Sequence, residues 1–140
     1  MNFAASPERL WAELADLVSH SEWMADAGTV RFVTDQRSGV GTQMRVPTRI
    51  GPLRTDDLMT VVEWVEGRAI AVEHVGVVSG VGRFEVAPSG QGSQLWWRET
   101  LRFPWWLGGP IGAGLARPIL KRVWSGNLAR LGERLAVSDL

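Results

Sequence analysis

The C-terminal stretch constrains this chain more than any other part. Residues 109–137 read GPIGAGLARPILKRVWSGNLARLGERLAV, with apolar side chains at Leu120, Val123, Trp124, Leu128, Leu131 and Leu135. Lys121, Arg122, Arg130, Glu133 and Arg134 fall between them. Steps of three, four and five residues place the apolar set on one helical stripe about 100° wide. Such a stripe needs a partner surface, and the preceding residues offer one, since 30–103 read as a series of strands. The simplest architecture is α+β: one long helix lying across one curved antiparallel sheet.

The chain opens with a helix signal at Ser6-Pro7-Glu8, in which serine caps, proline fits the first turn and glutamate suits the positive helix end. Leu10, Trp11, Leu14 and Leu17 share one face of that helix, and a second short helix is expected through Glu22, Trp23 and Met24, ending before Gly28. The period then changes. Strands are expected at 30–34, 41–49, 53–64, 68–75, 79–87 and 93–103, with a hairpin at Pro88-Ser89-Gly90-Gln91-Gly92. A first strand at the N-terminus is cut short to Asn2-Phe3-Ala4-Ala5, so six to seven strands are expected in one domain over 1–140.

Composition removes several classes of function. The formal net charge is zero and the basic residues form no block, which argues against nucleic acid. The absence of cysteine removes disulfides, thiol nucleophiles and thiolate metal sites together. With histidine only at positions 20 and 74, no metal site and no cofactor is expected. The N-terminus lacks a signal-peptide pattern and the longest apolar run, 103–116, is too rich in Gly and Pro to span a bilayer. A cytoplasmic protein is the expectation. Its oligomeric state, monomer or dimer, is left open.

Four stretches together resemble a known family: SPERLWAELADLVSHSEW at 6–23, GVGTQM at 39–44, SGQGSQLWWRETLRFP at 89–104, and NLARLGERL at 127–135. They are similar to the START-like (SRPBCC) superfamily, in particular its bacterial polyketide cyclase/dehydrase and lipid-transport branch. The resemblance covers nearly the whole chain. It implies a helix-grip fold enclosing a hydrophobic cavity and a small hydrophobic ligand as partner. It leaves the activity open, because that superfamily hosts carriers, receptors and enzymes alike.

A bent sheet cannot touch a straight helix everywhere, so a hollow is expected between them, dry if its lining is apolar. The inward candidates on strands are Phe32, Met44, Val46, Leu58, Val72, Phe84, Val86, Trp97 and Leu101. Trp23 is added from the second helix, and Leu115, Ile119, Val123 and Trp124 from the last. The plain alternative is that these residues fill a solid core. Two polar residues fall on the same apolar faces, Glu99 between Trp97 and Leu101, and His74 after Ile70 and Val72. A buried carboxylate needs a partner or a proton; an arginine such as Arg117 is one candidate partner. Glu99 and His74 are therefore the candidate polar anchors, able to orient a hydroxyl or carbonyl, or to move protons in a cyclisation or dehydration.

The remaining expectations concern the surface. His20, flanked by Ser19 and Ser21, reads as solvent-exposed, and Trp96, Arg98 and Arg102 as the outer face of the last strand. Asp56 and Asp57 point to opposite sides of a strand and cannot act as an acid–base pair. Trp105 and Trp106 either fold back over the sheet end, the favoured reading, or form a lip that touches a partner or a membrane, the one place where membrane contact is expected. Pro118 either kinks the last helix or marks the start of its regular part near Ala116. Three functions remain: a binding module for a lipid or polyketide-like molecule, a cyclase/dehydratase, and a non-catalytic partner-binding protein.

Overall fold

Ser6 starts the first helix through its own hydroxyl, which accepts the Arg9 N–H at 3.2 Å while Pro7 occupies the first turn. In the computed structural model, which describes residues 1–138, this helix is α1 (Pro7–Ala15). A 3-10 turn at Leu17–Ser19 leads into α2 (His20–Trp23). The strands are β1 (Asn2–Phe3), β2 (Arg31–Phe32), β3 (Gln43–Ile50), β4 (Leu53–Val65), β5 (Ala69–Val75), β6 (Ser79–Ser89) and β7 (Gly92–Arg102). The last helix, α3, runs over Gly109–Ser138.

The seven strands form one antiparallel sheet in the order β1-β7-β6-β5-β4-β3-β2, so the two-residue β1 closes the edge beside β7. Two tight hairpins depend on glycine at positive φ, Gly51 between β3 and β4 and Gly90 between β6 and β7. β4 carries one irregularity. Its pairing with β5 shifts between Val61 and Glu63, so the inward parity changes at Val62. Before the shift Thr55, Asp57, Met59 and Val61 share the face that looks toward α3; after it, Trp64 packs on Trp11 with ring centroids 5.5 Å apart.

α3 is one continuous helix from Gly109, and Pro118 lies inside it, so the regular part does not begin at Ala116. Proline supplies no N–H to the turn before it, a cost tolerated because this half of the helix is barely packed. The two halves of α3 do different things. In the C-terminal half Leu131 and Leu135 are fully buried against a core that holds Leu10, Trp11 and Leu14 of α1, Trp23 of α2, and Ile70, Phe84, Val86 and Leu95 of the sheet. Burying each leucine removes its side chain from water at a gain of roughly 1.5–3 kcal/mol.

A polar latch fixes that half in register. Asn127 is fully buried: its Oδ1 accepts from the Ala25 N–H at 2.9 Å and its Nδ2 donates to Asp26 at 2.8 Å. Arg130 donates from Nε to the Trp23 carbonyl at 3.0 Å and from Nη2 to Asn127 Oδ1. One turn further, Arg134 donates to Glu13 at 2.6 Å and also pairs with Glu22. Burial raises the Glu13 pKa, but the bonds from Arg134 and Arg9 outweigh it and hold the carboxyl below its usual range. Replacing Asn127 by Ala strips partners from a main-chain N–H and a carboxylate, and is expected to cost about 1–3 kcal/mol in urea unfolding. A loss below about 0.5 kcal/mol would show that the latch is incidental.

Candidate functional site

The N-terminal half of α3 stands away from the sheet, and the space beneath it is a cavity of about 250 Å³. Ala116, Ile119, Leu120 and Trp124 of α3 form its roof. Met44, Val46, Met59, Val72, Phe84, Trp97 and Leu101 rise from the strands, and Leu17, His20 and Met24 close one end. The walls are mostly apolar and partly aromatic. Trp97 stands 5.8 Å from Trp124, 5.1 Å from Phe84 and 6.3 Å from Trp23, measured between ring centroids. Rigid rings meeting at tilted and edge-to-face angles do not fill the arch completely.

Three carboxylates, Asp26, Asp57 and Glu99, and two imidazoles, His20 and His74, interrupt this lining. Glu99 is on β7 and His74 on β5, with β6 between them, so their backbones are separated by two strand spacings, about 9–10 Å. The register places Gly82 opposite Glu99 and Gly80 opposite His74. With no side chain in the way, the Glu99 carboxylate lies flat across β6; a Cβ on Gly82 would sit 2.5 Å from its Oε1. Oε1 accepts the Trp97 indole N–H at 3.0 Å. Oε2 comes within 3.4 Å of His74 Nε2, an ion-pair distance that is long for a hydrogen bond, and has no hydrogen-bond partner. Glu99 lines the cavity, and this oxygen is itself buried beside His74 with acceptor capacity unused.

Burial alone would push the His74 imidazole toward its neutral form. The Glu99 carboxylate, with help from the Asp57 charge and a backbone bond at Val78, outweighs it and raises the pKa above the usual 6.5. Asp57 is itself buried, accepting from Thr48 Oγ1 at 3.2 Å and Thr55 Oγ1 at 2.9 Å. His20 behaves in the opposite way. It is enclosed between Trp23 and Phe84, and its Nε2 donates to the Leu14 carbonyl at 2.8 Å. Burial dominates there and lowers its pKa despite the Leu14 bond and the charges of Asp16 and Glu13.

Several sequence expectations need correction. Leu58 points away from the cavity and Asp57 toward it, because an alternation counted back from Trp64 fails at the β4 irregularity. Leu115 is 76% exposed on the far side of α3, and Val123 is half-buried outside the lining. Phe32 covers the sheet edge under the Arg37 guanidinium, 5.0 Å from its ring centroid. Trp23 is wholly buried behind the wall rather than in it, its indole N–H without a hydrogen-bond partner. Arg117 does not reach Glu99: it is exposed, and His74 takes the place foreseen for it. His20 is not solvent-exposed but lines the cavity. Trp105 and Trp106 do not fold back; they are 88% and 58% exposed in a 3-10 turn. Met44, Val46, Val72, Phe84, Trp97, Leu101, Ile119, Trp124, His74 and Glu99 all border the cavity, while Val86 is buried in the core. Among the lining residues the sequence does not reveal are Asp57, Met59, His20, Leu17, Met24 and Asp26, and the local signal for Asp57 is its i, i+2 spacing from Thr55.

A curved antiparallel sheet gripped by a long terminal helix, with a cavity between them, defines a START-like helix-grip protein. Residues 1–136 match the model of the polyketide cyclase / dehydrase and lipid transport family, and the chain belongs to that family. No curated protein matches the sequence. Among solved structures, a protein of Thermus thermophilus is 19% identical with a TM-score of 0.77, covering 100% of this chain and 96% of that one. A START superfamily protein from Mycobacterium smegmatis is 18% identical with a TM-score of 0.74, covering 97% and 93%. The Zhui aromatase/cyclase from a Streptomyces species is 14% identical with a TM-score of 0.75, covering 97% and 90%. At these identities the likeness is one of fold. Among the described residues no cluster of His, Asp and Glu could hold a metal ion, and no helix is long and apolar enough to cross a membrane.

The two histidines give stability opposite pH dependences. His74, with its pKa raised, contributes stability that is complete below 6.5 and is lost as pH rises through its folded value. His20, with its pKa lowered, contributes stability present above 6.5 and lost as pH falls through its folded value. In urea unfolding from pH 5 to 8, His20→Gln should flatten the acid side of the profile and His74→Gln the alkaline side. Identical profiles for both variants and the parent would contradict these environments.

Proposed function

We propose that this protein binds a small, mostly apolar or aromatic molecule with one hydrogen-bond donor, in the cavity beneath α3. The observation that carries the reading is the Glu99 carboxylate on a mostly apolar cavity wall, held by the Trp97 indole and beside His74, its Oε2 making no hydrogen bond. Met44, Val46, Val72, Phe84, Trp97, Leu101, Ile119 and Trp124 supply the apolar contact, and Glu99 with His74 fixes the polar end. Size decides between guests. A cavity of about 250 Å³ lies at the small end of ligand pockets, which suits a one- or two-ring molecule or a short chain. The family description, which pairs polyketide cyclases with lipid transport, supports a guest of this polyketide-like or single-chain kind.

A second reading is an enzyme of the cyclase/dehydratase kind, and one observation favours it. His74 lies within the charge of both Glu99 and Asp57, so a protonated imidazole is available at the cavity floor to give a proton, with a carboxylate beside it to receive one. The apolar walls would then fold the reactive chain, orientation providing most of the rate.

Naphthol and naphthalene separate anchor from wall. Calorimetry or tryptophan quenching should show naphthol bound about tenfold more tightly, as a bond to a charged acceptor warrants. In Glu99→Gln the Trp97 indole keeps the amide oxygen, so the amide NH₂ replaces the free acceptor. That variant should bind both aromatics alike, at the affinity of naphthalene. Equal affinity of the parent for the two would remove Glu99 as the anchor; binding of neither would remove the ligand reading. For the enzyme reading, Glu99→Gln should abolish turnover of a reactive polyketide chain, and unchanged turnover would reject it.

A further inference from the structure

The outer stripe of α3 carries residues poorly suited to water. Ile111, Leu115 and Ile119 follow one another at four-residue spacing and so share one face, at 76%, 76% and 60% exposure. Just before the helix, Trp105 and Trp106 extend the patch from the 3-10 turn. Most other large exposed apolar residues are valines scattered singly over the fold, which is ordinary; five within residues 105–119, two of them tryptophans, are not.

Charge selects the occupant. The whole chain balances its acidic and basic residues, yet between Glu99 and Glu133 there is no acidic residue at all. Arg102, Arg117, Lys121 and Arg122 fall in that interval. Helical spacing puts Arg122 on this stripe and Lys121 on its flank. An apolar stripe with cations, no acid in its own segment and indoles before it matches the headgroup and acyl boundary of an anionic bilayer. A second copy of this chain fits less well, because a symmetric contact would set these cations against their own kind.

We propose that this face of α3, with the Trp105 and Trp106 turn, docks the protein on anionic lipid surfaces. The indoles, Ile111 and Leu115 enter the boundary, and Lys121 and Arg122 meet the lipid phosphates. Ile119 belongs both to the exposed stripe and to the cavity roof, so the mouth of the cavity opens beside the docked face. A guest dissolved in the bilayer would then pass into the cavity without crossing bulk water. The docking surface goes beyond the ligand reading and does not rest on it.

The test is flotation of the full chain with vesicles of phosphatidylcholine alone, or with about 30% phosphatidylglycerol. Binding to the anionic vesicles is expected, weakened by salt and at least about tenfold poorer for the neutral ones. The double variant Trp105→Ser, Trp106→Ser should lower partition by about tenfold or more, and so should Lys121→Gln with Arg122→Gln, each with an unchanged melting temperature. No flotation of the parent, or equal flotation of both variants, would overturn the proposal. So would concentration-dependent dimerisation abolished by Leu115→Glu, which would give the face to a second copy. Intact flotation with no uptake of naphthol would reject the ligand reading while leaving the docking surface standing.

Discussion

The seating of the C-terminal half of α3 is the constraint on which the rest depends. Leu131 and Leu135 sink into the core shared by α1 and the sheet, and Asn127, Arg130 and Arg134 bond to α1, α2 and the segment after it. Apolar burial supplies the attraction and the buried polar bonds supply the register, since a shift along the helix would leave Asn127 and Asp26 unpaired. With that half fixed against a bent sheet, a straight continuation must depart from the strands. The arch over the cavity is thus a consequence of the clamp, and Ile111, Leu115 and Ile119 are left outside for the same reason.

The chemistry of the hollow depends on residues that are absent as much as on those present. Gly82 leaves β6 without a side chain where Glu99 crosses toward His74. Gly76 plays a similar part for Asp57, since a Cβ there would sit 1.8 Å from its Oδ1. The outcome is a pair of carboxylates and an imidazole beneath aromatic walls. Charges there act through a poorly solvated medium and are felt more strongly than on the surface.

Element order and strand boundaries were legible because alternation and turn residues are local signals. β3, β5, β6 and β7 lie within two residues of the ends read from the sequence. Inward facing was legible wherever alternation runs unbroken, as on β7, where Trp97, Glu99 and Leu101 line the cavity and Trp96, Arg98 and Arg102 face out. It failed at Leu58, because a one-residue irregularity in β4 inverts the face and no glycine or proline marks it. His20 was misread because its neighbours Ser19 and Ser21 are polar, whereas its burial comes from Trp23 and Phe84, the latter from a strand far along the chain. The amphipathic pattern of α3 located the clamp but not the arch. Leu115 and Ile119 look like core residues by type, and only the departure of the helix from the sheet exposes them.

The central claim is that Trp97 and Trp124 border an open hollow with Glu99 at its wall, while Trp11 and Trp64 belong to a filled core and bond to Glu66 on the far side. The indole N–H resonances of the full chain, followed by NMR as naphthol is added, test this most directly. The account predicts that the Trp97 and Trp124 signals move together and saturate, with those of Trp11 and Trp64 unchanged. Movement of none of them, or of all four alike, would contradict it and leave a solid core beneath α3.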